Sequence, residues 1–144
     1  MKKFLMILIF VSISVFSFAQ TTVNTSFTKS FTITEWYEVN TSMSYDLISD
    51  TYVQDILDIS DNILNSNEKG KLVYNAKNKT IILSLTNENG TDNINFKRCI
   101  IKKKNIDNGV SYDIVLVVGS VKGLVMRFNI KNDNTCTLIQ FVKE

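Results

Sequence analysis

Histidine and proline are absent from this chain of 144 residues; glycine occurs five times, cysteine twice and tryptophan once. Without an imidazole, no side chain has an ordinary pKa between about 5 and 8. That excludes, within this chain, the His-activated nucleophile, the imidazole general base and the His metal site. Without proline there is no fixed kink and no proline-rich linker. The glycines are too scattered for a glycine-rich phosphate loop, and neither a dinucleotide fingerprint nor Gly-x-Ser-x-Gly occurs. Cys99 and Cys136 are too few to hold a structural zinc. In an oxidising compartment they are a possible disulfide, and two buried free thiols packing as small apolar groups are the alternative.

Net charge is also nearly missing. Sixteen basic residues face fourteen acidic ones, and two of the basic residues, Lys2 and Lys3, lie at the extreme N-terminus. After them comes an apolar stretch from Phe4 to Phe18 broken only by serines, then Ala19 before Gln20. A positive start, a short apolar run and a small residue at a cut site are the three parts of a cleavable secretory signal peptide. The run is shorter than the roughly 18 residues a membrane helix needs, and no cysteine lies near the cut to carry a lipid. The expectation is a signal peptide over 1–19 and a single β-rich domain over 20–144. That domain is expected in the bacterial periplasm or secreted, with no membrane span after cleavage. Loss of Lys2 and Lys3 leaves the charges balanced, so nucleic acid is not an expected partner.

Strand signals dominate from Lys71 onward. Apolar residues alternate with polar ones at Leu72 and Tyr74, at Ile81, Leu83 and Leu85, at Ile94, Phe96 and Ile100, at Tyr112 to Val118, at Leu124 to Ile130, and over Cys136 to Val142. Period two is the mark of a half-buried strand. Between the runs sit Lys77-Asn78-Lys79, Asn89-Gly90, Asn108-Gly109, Lys122-Gly123 and Asn132-Asp133-Asn134, residues suited to tight turns. Phe27 to Val39 reads as a further strand, and the polar residues 20–26 as a loose leader. Ile48, Tyr52, Ile56, Ile59 and Ile63 recur at helical spacing, which predicts one helix over 46–64, against the β-branched content of the segment. The predicted fold is mainly β (α+β), a curved antiparallel meander of about six to seven strands with that helix across it. If 46–64 forms strands instead, a small eight-stranded barrel is the alternative.

Few residues carry candidate chemistry. Trp36 and Tyr37, flanked by Glu35 and Glu38, offer an aromatic platform of the kind that holds sugars. The two glutamates, three apart on a strand, face opposite sides and make no catalytic pair. Lys97, Lys102, Lys103 and Lys104, with Arg98, form the densest basic cluster, but no aromatic residue interleaves them as single-strand nucleic-acid binding requires. The acidic residues from Asp46 to Asp61 and the loop Asn129 to Asn134 lack the glycine and closing acid of a calcium loop.

No cofactor and no catalytic residue follow from these patterns. The expectation is a non-catalytic binding or interaction module with a protein or glycan partner, its weak candidate surface being Trp36, Tyr37 and the four lysines. A barrel would instead resemble a small lipocalin-like carrier of an apolar ligand, although the Gly-x-Trp opening of that family is missing around Trp36.

Overall fold

Alternating apolar residues build strands throughout the computed structural model, which describes residues 20–46, 51–118 and 121–143. The expected signal segment lies outside these residues. In chain order the strands are β1 (Thr21–Thr22), β2 (Phe27–Asp46), β3 (Thr51–Ile59), β4 (Glu68–Asn75), β5 (Thr80–Asn87), β6 (Gly90–Phe96), β7 (Cys99–Ile106), β8 (Gly109–Val118), β9 (Val121–Lys131) and β10 (Thr135–Lys143). They form one mixed sheet in the order β1-β7-β8-β9-β10-β2-β4-β5-β6, with β3 beside β2.

The expected helix over 46–64 is corrected: Thr51–Ile59 is a strand antiparallel to β2, Val39 facing Ile59 and Asp46 facing Thr51. Thr51, Val53, Ile56 and Ile59 are stiff β-branched side chains, which a pleated surface accepts more readily than a helix does. The polar leader is not loose. Thr21 and Thr22 pair with Lys103 and Lys102, and the Val23 amide donates to the Ile101 carbonyl at 2.8 Å. The alternation through Ile94, Phe96 and Ile100 covers two strands, broken at Lys97-Arg98.

Two antiparallel meanders meet at the long strand β2. One runs β2-β4-β5-β6 and the other β7-β8-β9-β10. The chain passes from β6 to β7 through the corner at Lys97-Arg98 without reversing direction, so β10 arrives parallel to β2, Thr135 facing Thr32 and Lys143 facing Thr41. The ladder ends at β6 and at β1, and the sheet is open, which corrects the barrel alternative. The sheet curls until the inner faces of the two meanders touch. Phe31 of β2 meets Phe128 of β9 with ring centroids 5.5 Å apart, Phe27 stacks on Tyr112 at 5.2 Å, and the Cys99 amide of β7 donates to the Lys79 carbonyl next to β5 at 3.0 Å. The inner cluster contains Ile33, Leu72, Ile81, Leu83, Ile101, Ile114, Phe128 and Leu138, all fully buried. Burial at about 1.5–3 kcal/mol for each large aliphatic or aromatic side chain is the main term holding the curl.

A second apolar cluster lies on the outer face: Tyr37, Val39, Ile59, Ile100, Val115, Leu124, Ile139 and Phe141. Bulges make this possible. In the β2–β10 ladder Cys136 faces Ile33 but Thr137 faces Glu35, so Thr34 is an extra residue. Phe31 and Ile33 point inward before it, whereas Tyr37 and Val39 point outward after it. Val125 does the same in β9, between Leu124 facing Val115 and Met126 facing Ile114. One inserted residue flips the face of every later side chain.

Candidate functional site

The bulge at Thr34 determines where the site forms. The outer edge of β2 pairs with β4 as far as Ile33 and with β3 from Val39 onward. Since β3 and β4 run the same way along that edge, the chain between them, residues 60–67, passes the unpaired stretch 34–38 as a loop. Four hydrogen bonds stitch it there. The Ser60 and Ile63 amides donate to the carbonyls of Glu38 and Trp36, both at 2.9 Å. The Trp36 amide donates to Asn62 Oδ1 at 3.0 Å and the Glu38 amide to Ser60 Oγ at 2.8 Å. Asn62 Oδ1 also accepts from the Leu64 amide at 3.1 Å. The backbone groups of the edge are thus satisfied without a strand, as buried or half-buried amides require.

Between this loop and the β5–β6 turn lies a cleft of about 270 Å³, lined by Trp36, Ile63, Leu64, Asn65, Ser66, Glu68, Asn87, Glu88 and Asn89. Trp36 packs against the inner core. Its indole N–H is buried and has no hydrogen-bond partner among the described residues. Glu68 opens β4 opposite Ile33, and its Oε1 accepts from the Asn87 side-chain amide at 3.0 Å. The Asn89 amide donates to Asn87 Oδ1 at 2.8 Å, which shapes the two-residue turn. The cleft therefore combines one aromatic side chain, two carboxylates and several amide groups.

The candidate residues of the sequence reading separate. Trp36 lines the cleft, but the bulge sends Tyr37 to the outer face, where its phenol donates to Glu35. Burial first, then that hydrogen bond to the Glu35 carboxylate, pushes the phenol up to about 12. No joint Trp36–Tyr37 platform exists. Nor do the four lysines form one patch. Lys97 is exposed at the β6–β7 corner. Lys103 lies over the ring of Tyr112, 5.9 Å from its centroid. Lys102 and Lys104 are buried on the other side of β7. Burial pushes the Lys104 amine down, with Arg127 adding to that effect and Asp113 opposing it. Arg127 meets Asp113 in a two-pronged ion pair at 2.7 and 3.0 Å, and Gln20 Nε2 donates to the same carboxylate at 2.7 Å.

Cys99 and Cys136 are free and buried, so the possible bridge is not formed. Burial raises both thiols, Cys99 to about 11. Two Ser-x-x-Lys strings, Ser26–Lys29 and Ser66–Lys69, match the spacing of a serine nucleophile with a lysine base, which depends on one helical turn. Neither lies on a helix. Ser26 Oγ accepts the Ala76 amide while Lys29 reaches Asn134. Among the described residues no group of three or more acidic or cysteine side chains converges as a metal site.

Glu68, Asn87, Glu88 and Asn89 are the residues sequence reasoning missed. Each is an ordinary polar residue near a strand end, and only the β2–β4–β5 ladder brings them to Trp36. Comparison with protein-family models, curated proteins and solved structures gives no match to this chain.

Proposed function

We propose that the protein is an exported, non-catalytic binding module of the bacterial periplasm or cell exterior, and that its Trp36 cleft takes a small neutral polar ligand, a glycan unit being the best fit. The export part rests on the N-terminal pattern of residues 1–19. The binding part rests chiefly on one observation, the buried and unpartnered indole N–H of Trp36 beside a cleft whose rim is Asn, Ser and Glu. A buried donor left without a partner costs about 1–3 kcal/mol, a deficit that a ligand oxygen relieves when the indole turns its N–H toward the cleft. An aromatic surface for the apolar face of a sugar ring, ringed by amides and carboxylates for its hydroxyls, matches that ligand chemistry. At about 270 Å³ the cleft falls just short of the usual range of ligand pockets, which starts near 300 Å³, so it suits one ring rather than a long chain.

Trp36→Phe keeps the ring and removes the donor, and Glu88→Gln keeps the shape and removes the charge. Calorimetric titration with N-acetylglucosamine trimer, cellotriose and maltotriose tests the proposal. Binding of at least one trisaccharide, lost in Trp36→Ala and weakened in Trp36→Phe, is the expected result. Equal binding by wild type and Trp36→Ala would sink it.

A further inference from the structure

Among the described residues, four other than glycine hold positive φ: Lys79 at 54°, Arg98 at 55°, Asn108 at 59° and Asn134 at 64°. Asparagine tolerates this left-handed region because its short amide bonds to nearby backbone, and longer side chains adopt it rarely. At two of the four positions this Asn-rich chain uses asparagine. At the other two it places long cations, and those two line the same groove.

That groove has a volume of about 570 Å³ and is lined by Thr22, Asn78, Lys79, Arg98, Ile100 and Val117. No carboxylate is among the described residues that line it. Ile100 and Val117 give it an apolar floor continuous with the outer cluster, while Lys79 and Arg98 stand exposed at its rim. The backbone beneath is fixed. The Cys99 amide donates to the Lys79 carbonyl at 3.0 Å and the Val117 amide to the Arg98 carbonyl at 2.7 Å. Both cations therefore project from turns pinned to the strand that carries Ile100.

We infer that this groove is a second binding site, for a single-chain amphiphile with an anionic head: the head sits between Lys79 and Arg98, and the tail lies on Ile100 and Val117. Two cations carried on pinned turns, with no carboxylate among the described residues lining the groove, give the charge complementarity, and guanidinium and ammonium groups both suit a carboxylate or phosphate. The site is separate from the Trp36 cleft and does not depend on its reading.

The probe is sodium octanoate, with 1-octanol as the uncharged match, inorganic phosphate as the head alone, and phosphatidylglycerol vesicles as the membrane source. Calorimetry on the purified protein is expected to show saturable octanoate binding that weakens with salt, with octanol and phosphate each at least tenfold weaker. Methyl NMR shifts are expected at Ile100 and Val117. Lys79→Asn/Arg98→Asn places at both turns the residue this chain uses at Asn108 and Asn134, so its melting temperature is expected to hold while octanoate binding falls at least tenfold. Octanol bound as tightly as octanoate overturns the inference, as does unchanged octanoate binding in the folded double variant. So does binding to vesicles with none to octanoate. Should the double variant fail to fold, the octanoate–octanol comparison and the methyl shifts in the wild type still decide.

Discussion

A methyl group at Gly109 has nowhere to go, because a Cβ built there falls 2.1 Å from the Ile130 carbonyl oxygen, a backbone atom of the paired strand. Gly109→Ala is expected to lower unfolding stability by about 1–3 kcal/mol, the usual range for overpacking, whereas Gly123→Ala, whose Cβ meets nothing within 4 Å, leaves the urea midpoint nearly unchanged. The cysteines give a second test at this scale. Both thiols are buried, and burial disfavours the reactive thiolate. A chromogenic disulfide reagent is expected to find neither thiol in the native protein and both in denaturant; a disulfide would leave both silent in denaturant as well. The fate of Trp36 and Tyr37 marks the limit of residue-level reading. Adjacent aromatics on a strand face opposite ways in any case, but which one turns inward depends on Thr34 being an extra residue, and nothing about Thr34 itself announces a bulge.

At the scale of elements, local patterns were legible where pairing is local. The alternation over Tyr112 to Val118, Leu124 to Ile130 and Cys136 to Val142 marks β8, β9 and β10 well, since each pairs with its neighbour in sequence. Between 46 and 64 the spacing of the isoleucines matched a helix because a four-residue interval suits both periods, being one turn of helix and two pleats of strand. The outer face carries a cross-strand row, Lys102–Asp113–Arg127–Ile139–Tyr37, in which Arg127 also lies 5.7 Å from the centre of the Phe141 ring. Asp113 is buried and accepts from both Arg127 and Gln20, so Asp113→Ala, which takes the carboxylate out of a buried ion pair, is expected to cost about 3–5 kcal/mol. Arg127→Met combined with Asp113→Leu is expected to recover much of that loss. Chemical denaturation of Asp113→Ala and of the double variant measures both values. Equal loss in both would mean that packing at these positions, and not the broken ion pair, sets the cost.

For the molecule as a whole, the parallel meeting of β10 with β2 was invisible in the sequence. It joins segments about a hundred residues apart, and neither strand differs in composition from an antiparallel one. The cleft was hidden for the same reason, since its rim comes from loop 60–67 and the β5–β6 turn. Titration is likewise a property of the whole fold. Tyr37 is raised from 10.0 to about 12 and Cys99 from 9.0 to about 11, with Tyr74, Tyr112 and Cys136 also raised, in every case first by burial. A raised acid is neutral in the fold while its unfolded counterpart ionises. Its stabilising contribution is complete below the unfolded value and is lost as pH rises through the folded one. Lys104, lowered by burial, works the other way only up to its ordinary value of 10.5. Stability is therefore expected to begin falling near pH 9, where the unfolded cysteines ionise, and to fall most steeply between about pH 10 and 12, where the unfolded tyrosines do, and Tyr37→Phe is expected to flatten part of that fall, as read from urea midpoints against pH. A curve flat to pH 12 would mean these groups are solvated.

Trp36 is the sole tryptophan of the chain, so its emission reports the cleft without a label. Titration of the purified protein with N-acetylglucosamine trimer, cellotriose and maltotriose, following that emission, is the most direct test. A saturable shift or quench with one of them, abolished by Glu68→Ala/Glu88→Ala while the melting temperature holds, is the expected result. Emission unchanged by all three would contradict a glycan-binding cleft at Trp36.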